Sequence, residues 1–429
     1  VTPADFLPKA TTRKEPPLFE NPAVPRIRQR GSTLLVVDGD AEQDLPELPQ
    51  LPGETHVTTV VVHTTVVPDI PVLRSLLNRG LAPECAAVRL VLPGAGAPGP
   101  DGWCAARHLA ESLNLPVIAP DGPVIVLPDA LFAFGGAWRT FRPGAEPVVD
   151  GPRHPAPRWQ RTLTPPPQAE APLRATPIPA GLWLHTADRV VAPDDPVFAV
   201  PVDPASVSLV IGRPGDPVLP AAEVAEYIRR LAPTIGDEPL LIPYGSGGHL
   251  VDELAVRLPG DAVASVRVDA GMPAVEADDV AVRTVVDAAG RAVWRPPAQQ
   301  LRFQPGRAPR LLHWRPPLPH ASTVGTGLQR LADGWLVEVV RCGLWIRPDR
   351  EDDDAVRRIP ADPDRLLLLV GAPGAPPATE VWPAVRRLLD ALPADQRERV
   401  QPVLPAGTAQ PSGFPAAWRL SPDADAQAR

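Results

Sequence analysis

Two stretches decide the fold: GLWLHTADRVVAPDDPVFAVPVDPASVSLVIGRPGDPVLPAAEVAEYIRRL, residues 181–231, and GLWIRPDREDDDAVRRIPADPDRLLLLVGAPGAPPATEVWPAVRRLLDAL, residues 343–392. They share Gly-Leu-Trp, then Asp-Pro ahead of an apolar run (Asp203, Asp362), then Gly-x-Pro-Gly-x-Pro after it (from Gly212 and Gly371). Glu-Val (Glu223, Glu380) and Arg-Arg-Leu (Arg229, Arg386) follow in the same order. The offset drifts only from 162 to 157 residues, which a few loop deletions explain. Five ordered matches mark an internal repeat.

A third, weaker copy lies upstream. VTTVVVH at 57–63 stands where VSLVIG stands, and PVLRSLLNRGLAP matches EVAEYIRRLAP. VRLVLPGAG at 88–96 matches PLLIPYGSG at 239–247, and CAARHLAESLNLP matches HLVDELAVRLP. The helical segments place apolar residues at i, i+3, i+4 spacing: Val72, Leu73, Leu76, Leu77; Val224, Tyr227, Ile228, Leu231; Val385, Leu388, Leu389, Leu392. The strand segments VTTVVV, VRLVL, VSLVI, PLLI and LLLLV are apolar on successive residues, which suits strands covered on both faces. The fold class is α/β: tandem, small, doubly wound parallel-sheet modules with right-handed crossovers, β-hairpin extensions and proline-rich connectors.

The expected layout is an extended N-terminal arm at 1–33, module one at 34–147 and a proline-rich linker at 148–180. Module two follows at 181–320, and a shortened module three at 321–429. The arm carries Lys9, Arg13, Lys14, Arg26, Arg28 and Arg30 with Phe6, Leu7, Leu18 and Phe19 between them. It reads either as a disordered tail or as an arm lying on an acidic surface. Each module ends in Trp-Arg (Trp138, Trp294, Trp418), and Gly135-Gly136 reads as a hairpin turn.

Composition narrows the function. A chain of 429 residues exceeds one core, and 44% hydrophobic content excludes disorder throughout. Its 62 prolines, against a typical ~5% of residues, exclude long uninterrupted helices and a coiled coil. No apolar run approaches the ~20 residues of a membrane span, and no secretory leader opens the chain. The default location is cytoplasmic, unless this is a fragment of a larger secreted protein. A net charge of −8 argues against nucleic-acid binding. The only lysines are Lys9 and Lys14, so the modules hold no P-loop, Schiff-base or general-base lysine. Cys85, Cys104 and Cys342 are too few for a disulfide framework or a thiolate zinc site. The eight histidines lack ligand spacing, and Glu351–Asp354 reads as a solvated loop. No metal and no cofactor are expected.

Three candidate sites remain. Cys104 is expected in the first turn of a helix, where the macrodipole favours a thiolate, with His63 ending a neighbouring strand and His108 one turn on. The bland alternative is a small residue on a packed helix face. Gly245, Ser246, Gly247 and Gly248 open a helix and could hold an anion on free amides, or simply make a tight turn. Trp159, Trp183, Trp314 and Trp345 lie at junctions or module entrances. They could anchor a partner protein or pack locally against proline rings.

The text LVLPGAG, AARHLAESLNLPVIAPDGPVIV and GGAWRTFRPG makes residues 57–144 resemble the "lonely Cys" modules of very large actinobacterial polymorphic-toxin proteins. More distantly, it is similar to the caspase-like autoprocessing peptidases of toxins. Where that family carries its cysteine this chain has Pro93, so the resemblance implies catalytically dead copies. Together these observations predict a non-catalytic scaffold or assembly subunit acting through protein–protein contacts. The alternatives are a caspase-like cysteine peptidase in module one, or a nucleotide- or anion-binding module.

Overall fold

The computed structural model describes residues 25–38, 54–100, 102–163, 169–186, 190–275, 281–372, 377 and 379–404. The arm up to residue 24, the C-terminal stretch with Trp418 and most of Gly371–Pro376 lie outside them. The chain forms two compact units. One runs to Val124 and adds Trp138–Val149; the other comprises Ile125–Ala137 and everything from Asp150.

The first unit opens with β1 (Arg26–Arg30) and β2 (Thr33–Val37), then β3 (Val57–His63), α1 (Ile70–Gly80), β4 (Ala87–Val91), α2 (Ala105–Leu113) and β5 (Val117–Pro120). After β6 (Val124–Val126) and β7 (Leu131–Ala133), β8 (Trp138–Phe141) and β9 (Val148–Gly151) close a seven-stranded sheet ordered β1-β2-β3-β4-β5-β8-β9. Strands β2 to β5 are parallel; β1 and β8 pair antiparallel at either side. Helix α1 starts where the Asp69 carboxylate accepts the Val72 amide at 3.0 Å, and α2 stops at Asn114 in the left-handed conformation. Both helices bury their apolar stripes (Leu73, Leu77, Leu109) against Val36, Val60, Leu90 and Val117.

Two expectations change here. Arg26–Arg30 is an edge strand rather than part of an arm, and its alternating arginines hid it because charged residues are how edges are protected. Gly135-Gly136 is not a hairpin turn: β8 pairs with β5, whereas β7 pairs with β10 (Arg153–His154).

The second unit repeats the plan. Its strands β11 (Leu173–Ile178), β12 (Gly181–Thr186), β13 (Ser208–Ile211), β14 (Leu240–Pro243) and β15 (Val266–Asp269) precede a meander of β16 (Met272–Val275), β17 (Ala281–Val286) and β18 (Ala292–Trp294). With β19 (Ala298–Phe303) and β20 (Arg310–Trp314) the order is β11-β12-β13-β14-β15-β19-β20, strand for strand that of the first sheet. Helices α4 (Ala221–Ile235) and α5 (Gly248–Arg257) cover Leu182, Leu184, Leu209, Ile211 and Leu241. The opposite face, with Trp183, Val210 and Ile242, lies under the 3-10 turn Pro196–Ala199, Phe132 and Met272. Its second cover is thus a turn and strand side chains instead of further helices.

Residues 148–163 and 169–180, within the stretch expected to be a linker, are packed structure. They carry β9, β10, a short α3 (Gln160–Leu163) and β11, with Trp159, Leu163 and Leu173 buried. Arg153 fixes the path: its guanidinium, buried against the Trp159 ring at 4.6 Å, donates to the carbonyls of Ile178, Pro179 and Gly181. Prolines made the stretch look open, but only the long-range partners of Arg153 reveal that it is closed.

The third copy lies in the same unit. Strands β21 (Thr323–Gly325), β22 (Leu328–Ala332), β23 (Trp335–Val340), β24 (Gly343–Pro348), β25 (Leu366–Val370) and β26 (Val400–Val403) lie in sequence order. Between them sit α6 (Asp354–Arg358), α7 (Trp382–Ala391) and α8 (Ala394–Arg397). The β23-β24-β25-β26 run reproduces β11-β12-β13-β14, antiparallel then parallel. Among the described residues the copy ends there.

The repeat's matched letters have physical jobs. Gly181 and Gly343 sit at φ of 155° and 149°, and a Cβ there would collide with the carbonyl oxygens of Ser208 and Leu367 on the next strand. Asp203 and Asp362 each turn the chain before a strand, accepting the amides of Ala205 at 2.9 Å and Asp364 at 2.8 Å. Trp183 and Trp345 bond to the glycines that end β13 and β25. The Trp-Arg tails are not equivalent, however. Register sets Trp138 opposite Pro120 and Gln300 opposite Asp269, so the counterpart of Trp138 is Gln300, not Trp294. No helix among the described residues is long and apolar enough to cross a membrane.

Candidate functional site

Open α/β sheets do their chemistry past the carboxyl ends of parallel strands. In the first unit that edge holds His63, ending β3, and Cys104, which is the residue capping α2 rather than one within its first turn. Cys104 is 8% exposed and belongs to the apolar cluster of Leu90, Leu109 and Val117. Its thiol caps nothing and bonds to neither histidine; His108 instead stacks on Trp103, centroids 4.8 Å apart. The glycine loop before it is consumed internally. Gly94 and Gly96 donate to Gly122 and Pro120, Gly99 to Trp103, Gly102 to Gly99, and Ala106 to Ala95. That leaves none of these amides for an oxyanion.

Gly245–Gly248 likewise make a close turn. A Cβ on Gly247 would strike the Ile211 carbonyl, one on Gly245 would strike Pro214, and one on Gly248 would meet the Pro363 ring. Ser246 spends its hydroxyl on the Asp216 carbonyl at 3.3 Å. These glycines let backbone pass backbone, and the Pro363 ring packs against the first residue of α5.

The tryptophans expected at a partner surface are mostly interior. Trp159, Trp183 and Trp345 are 6%, 0% and 1% exposed. Their indole N–H groups bond to the carbonyls of Asp203, Gly212 and Gly371. Trp314 is half-buried against the second unit's core. Buried rings with satisfied donors cannot offer hot-spot area to another chain, so Trp159, Trp183 and Trp345 do not form a docking surface.

What the sequence missed is a buried polar group at the end of β15. Asp269 is 1% exposed; its Oδ1 accepts Gln300 Nε2 at 2.7 Å and faces Arg283 Nε at 3.1 Å, while Oδ2 has no partner. Burial raises its carboxyl above the usual range, opposed by Arg283 and the Gln300 bond. Beside it, Arg267 and Arg302 share Glu238, and Arg267 also holds Asp203. Pairing across antiparallel strands joins Asp269 to a residue 31 positions away, and no local motif signals that. Among the described residues no His, Cys, Asp or Glu cluster is arranged to hold a metal.

Among the described residues the fold and strand edges define a tandem α/β repeat in which the amides of the first copy's glycine loop are spent within the chain. No family model matches the chain, and neither a curated protein nor a solved structure matches it.

Proposed function

We propose that the chain is a non-catalytic assembly subunit that works through protein–protein contacts. The observation that carries this reading is the fate of one position, the end of the second parallel strand. It holds His63 in the first copy but Gly212 and Gly371 in the others, where an indole N–H occupies the glycine carbonyl. A copy locked by packing at that position has no room for a catalytic base. Exposed apolar side chains on the loops after β3 and β4 add support: Val66 at 69%, Val67 at 58% and Trp103 at 37%. Such side chains at a strand edge suit a protein partner. On this reading the resemblance to "lonely Cys" modules marks an ancestor whose chemistry was lost, Pro93 standing in for the family's cysteine.

The test is labelling of the full chain with an electrophilic cysteine-peptidase probe, alongside Cys104→Ala and His63→Ala. No Cys104 labelling beyond that of Cys85 is expected. Labelling or self-processing that disappears in either variant would replace the assembly reading with a peptidase.

A further inference from the structure

Each copy enters its second parallel strand through the same turn. Thr33, Gly181 and Gly343, which open β2, β12 and β24, pair with Thr59, Ser208 and Leu367. Five residues before those partners stand Glu54, Asp203 and Asp362. The carbonyl of each accepts the N–H three residues on, from Val57 at 3.3 Å, Ser206 at 3.4 Å and Arg365 at 3.3 Å.

In two copies a tryptophan from the segment ahead of the copy grips this turn. Trp159 Nε1 donates to the Asp203 carbonyl at 3.0 Å, and the Arg158 N–H to that of Pro204 at 3.4 Å. Trp294 Nε1 donates to the Pro363 carbonyl at 2.7 Å. Beside it the Arg295 N–H donates to the Asp395 carboxylate at 3.0 Å, and Gln396 Nε2 to the Arg295 carbonyl at 2.7 Å. Both indoles are buried, Trp159 at 6% and Trp294 at 4% exposure.

In the first copy the turn is exposed at Glu54, Thr55 and His56, as are Ala82, Pro83 and Glu84. The two stretches adjoin, because His56 Nδ1 is bonded to the Glu84 carbonyl at 3.1 Å. Strand register puts Glu84 where the third copy has Gln396, each standing five residues before the partner of Thr59 or Leu367 on the next strand. The sequence Ala-x-Trp-Arg that supplies Trp294 recurs at Ala416–Arg419, outside the described residues. Its arginine is matched in charge by Glu84, a carboxylate in place of an amide.

We propose that the exposed turn at Glu54–His56 receives Trp418 and Arg419 of a second molecule of this chain, so that molecules assemble head to tail. The inference rests on the assembly reading and gives it a partner. A patch that meets a different patch leaves one of each unused at the ends, so growth continues into rings or filaments instead of stopping at two.

The test is sedimentation velocity of the full chain at rising concentration, since a contact of a few residues is weak. The mean mass should climb past that of a dimer. Trp418→Ala, which removes the indole, and Glu84→Arg, which sets a cation against Arg419, should each stay monomeric. Mixed together they should form dimers and stop there, because the pair holds one intact tail and one intact turn. A wild-type chain that stays monomeric, association that persists in Trp418→Ala, or a mixture that grows beyond the dimer would overturn the contact. Should Glu84→Arg fail to fold, Trp418→Ala decides alone. The assembly reading fails separately, through labelling of Cys104 by the peptidase probe.

Discussion

The indole Nε1 of Trp183 donates to the carbonyl oxygen of Gly212 at 2.7 Å, tying the middle of β12 to the end of β13. Trp345 makes the same bond to Gly371 at 2.9 Å. Both glycines have positive φ, 93° and 95°, so the carbonyl is turned toward the ring in a conformation other residues resist. Trp183→Phe keeps a ring in place but leaves the Gly212 carbonyl buried and unpaired. A loss of about 1–3 kcal/mol is expected in urea unfolding, with Trp345→Phe alike. A change under a few tenths would mean that water replaces the indole.

The second and third copies are joined by an ion pair between Arg341 and Asp252. Arg341, at the β23–β24 turn, donates to Asp252 on α5 and lies over the Phe303 ring at 5.0 Å. Its side chain is 4% exposed, that of Asp252 19%. Asp252→Asn should cost about 3 kcal/mol, since it strands a buried guanidinium. Arg341→Met should cost a similar amount, and the double variant should recover much of either loss. Additive losses would show that the two side chains act separately.

The letters of the repeat were legible because each does one local job: a glycine under a neighbouring strand, a tryptophan reaching a loop carbonyl, an aspartate turning the chain. Helices α1, α4 and α7 were legible because most of their apolar spacing is what they bury; Val72, expected in the α1 stripe, is instead 39% exposed. Other features depend on partners distant in sequence. Arg153 closes a proline-rich stretch by reaching carbonyls 25 to 28 residues on. Arg26–Arg30 looks like a charged tail until β2 pairs with it. Trp138 and Trp294 look alike as letters, and only strand register separates them. The first copy's glycine loop was ambiguous for the same reason, since a free amide and a spent one are spelled identically.

Acid should weaken the second unit through His185. The imidazole is fully buried against Trp183, bonded to Thr176 Oγ1 at 2.8 Å and the Thr186 carbonyl at 2.6 Å. Burial pushes its pKa down, with Arg213 and Arg174 acting in the same direction and Asp216 and the Thr186 bond opposing. A base whose folded pKa lies below its unfolded value binds fewer protons when folded. Stability therefore rises with pH up to the unfolded value near ~6.5 and falls as pH drops below it, by at most about 1.4 kcal/mol per pH unit. Urea midpoints between pH 5 and 7 should show this slope, and His185→Gln should flatten it. An unchanged slope in the variant would assign the effect to another group.

The three thiols make the two units separately readable. Cys85 is half-buried near the surface, its Sγ donating to the Ala87 carbonyl at 3.2 Å, whereas Cys104 and Cys342 are 8% and 3% exposed. Burial pushes the Cys342 thiol up to about 12, so it stays protonated and unreactive in the folded state at pH 8. Iodoacetamide at that pH should modify Cys85 first. Cys104 should follow only as the first unit opens, and Cys342 only as the second does. Trp183→Phe, which weakens the second unit alone, should then speed alkylation of Cys342 and leave Cys104 unchanged, as mass spectrometry of the three peptides would report. Matched acceleration of both would mean that the units open together. A Cys104 that reacts ahead of Cys85, and slows in His63→Ala, would instead mean an activated thiolate, which a side chain held in the α2 core should not supply.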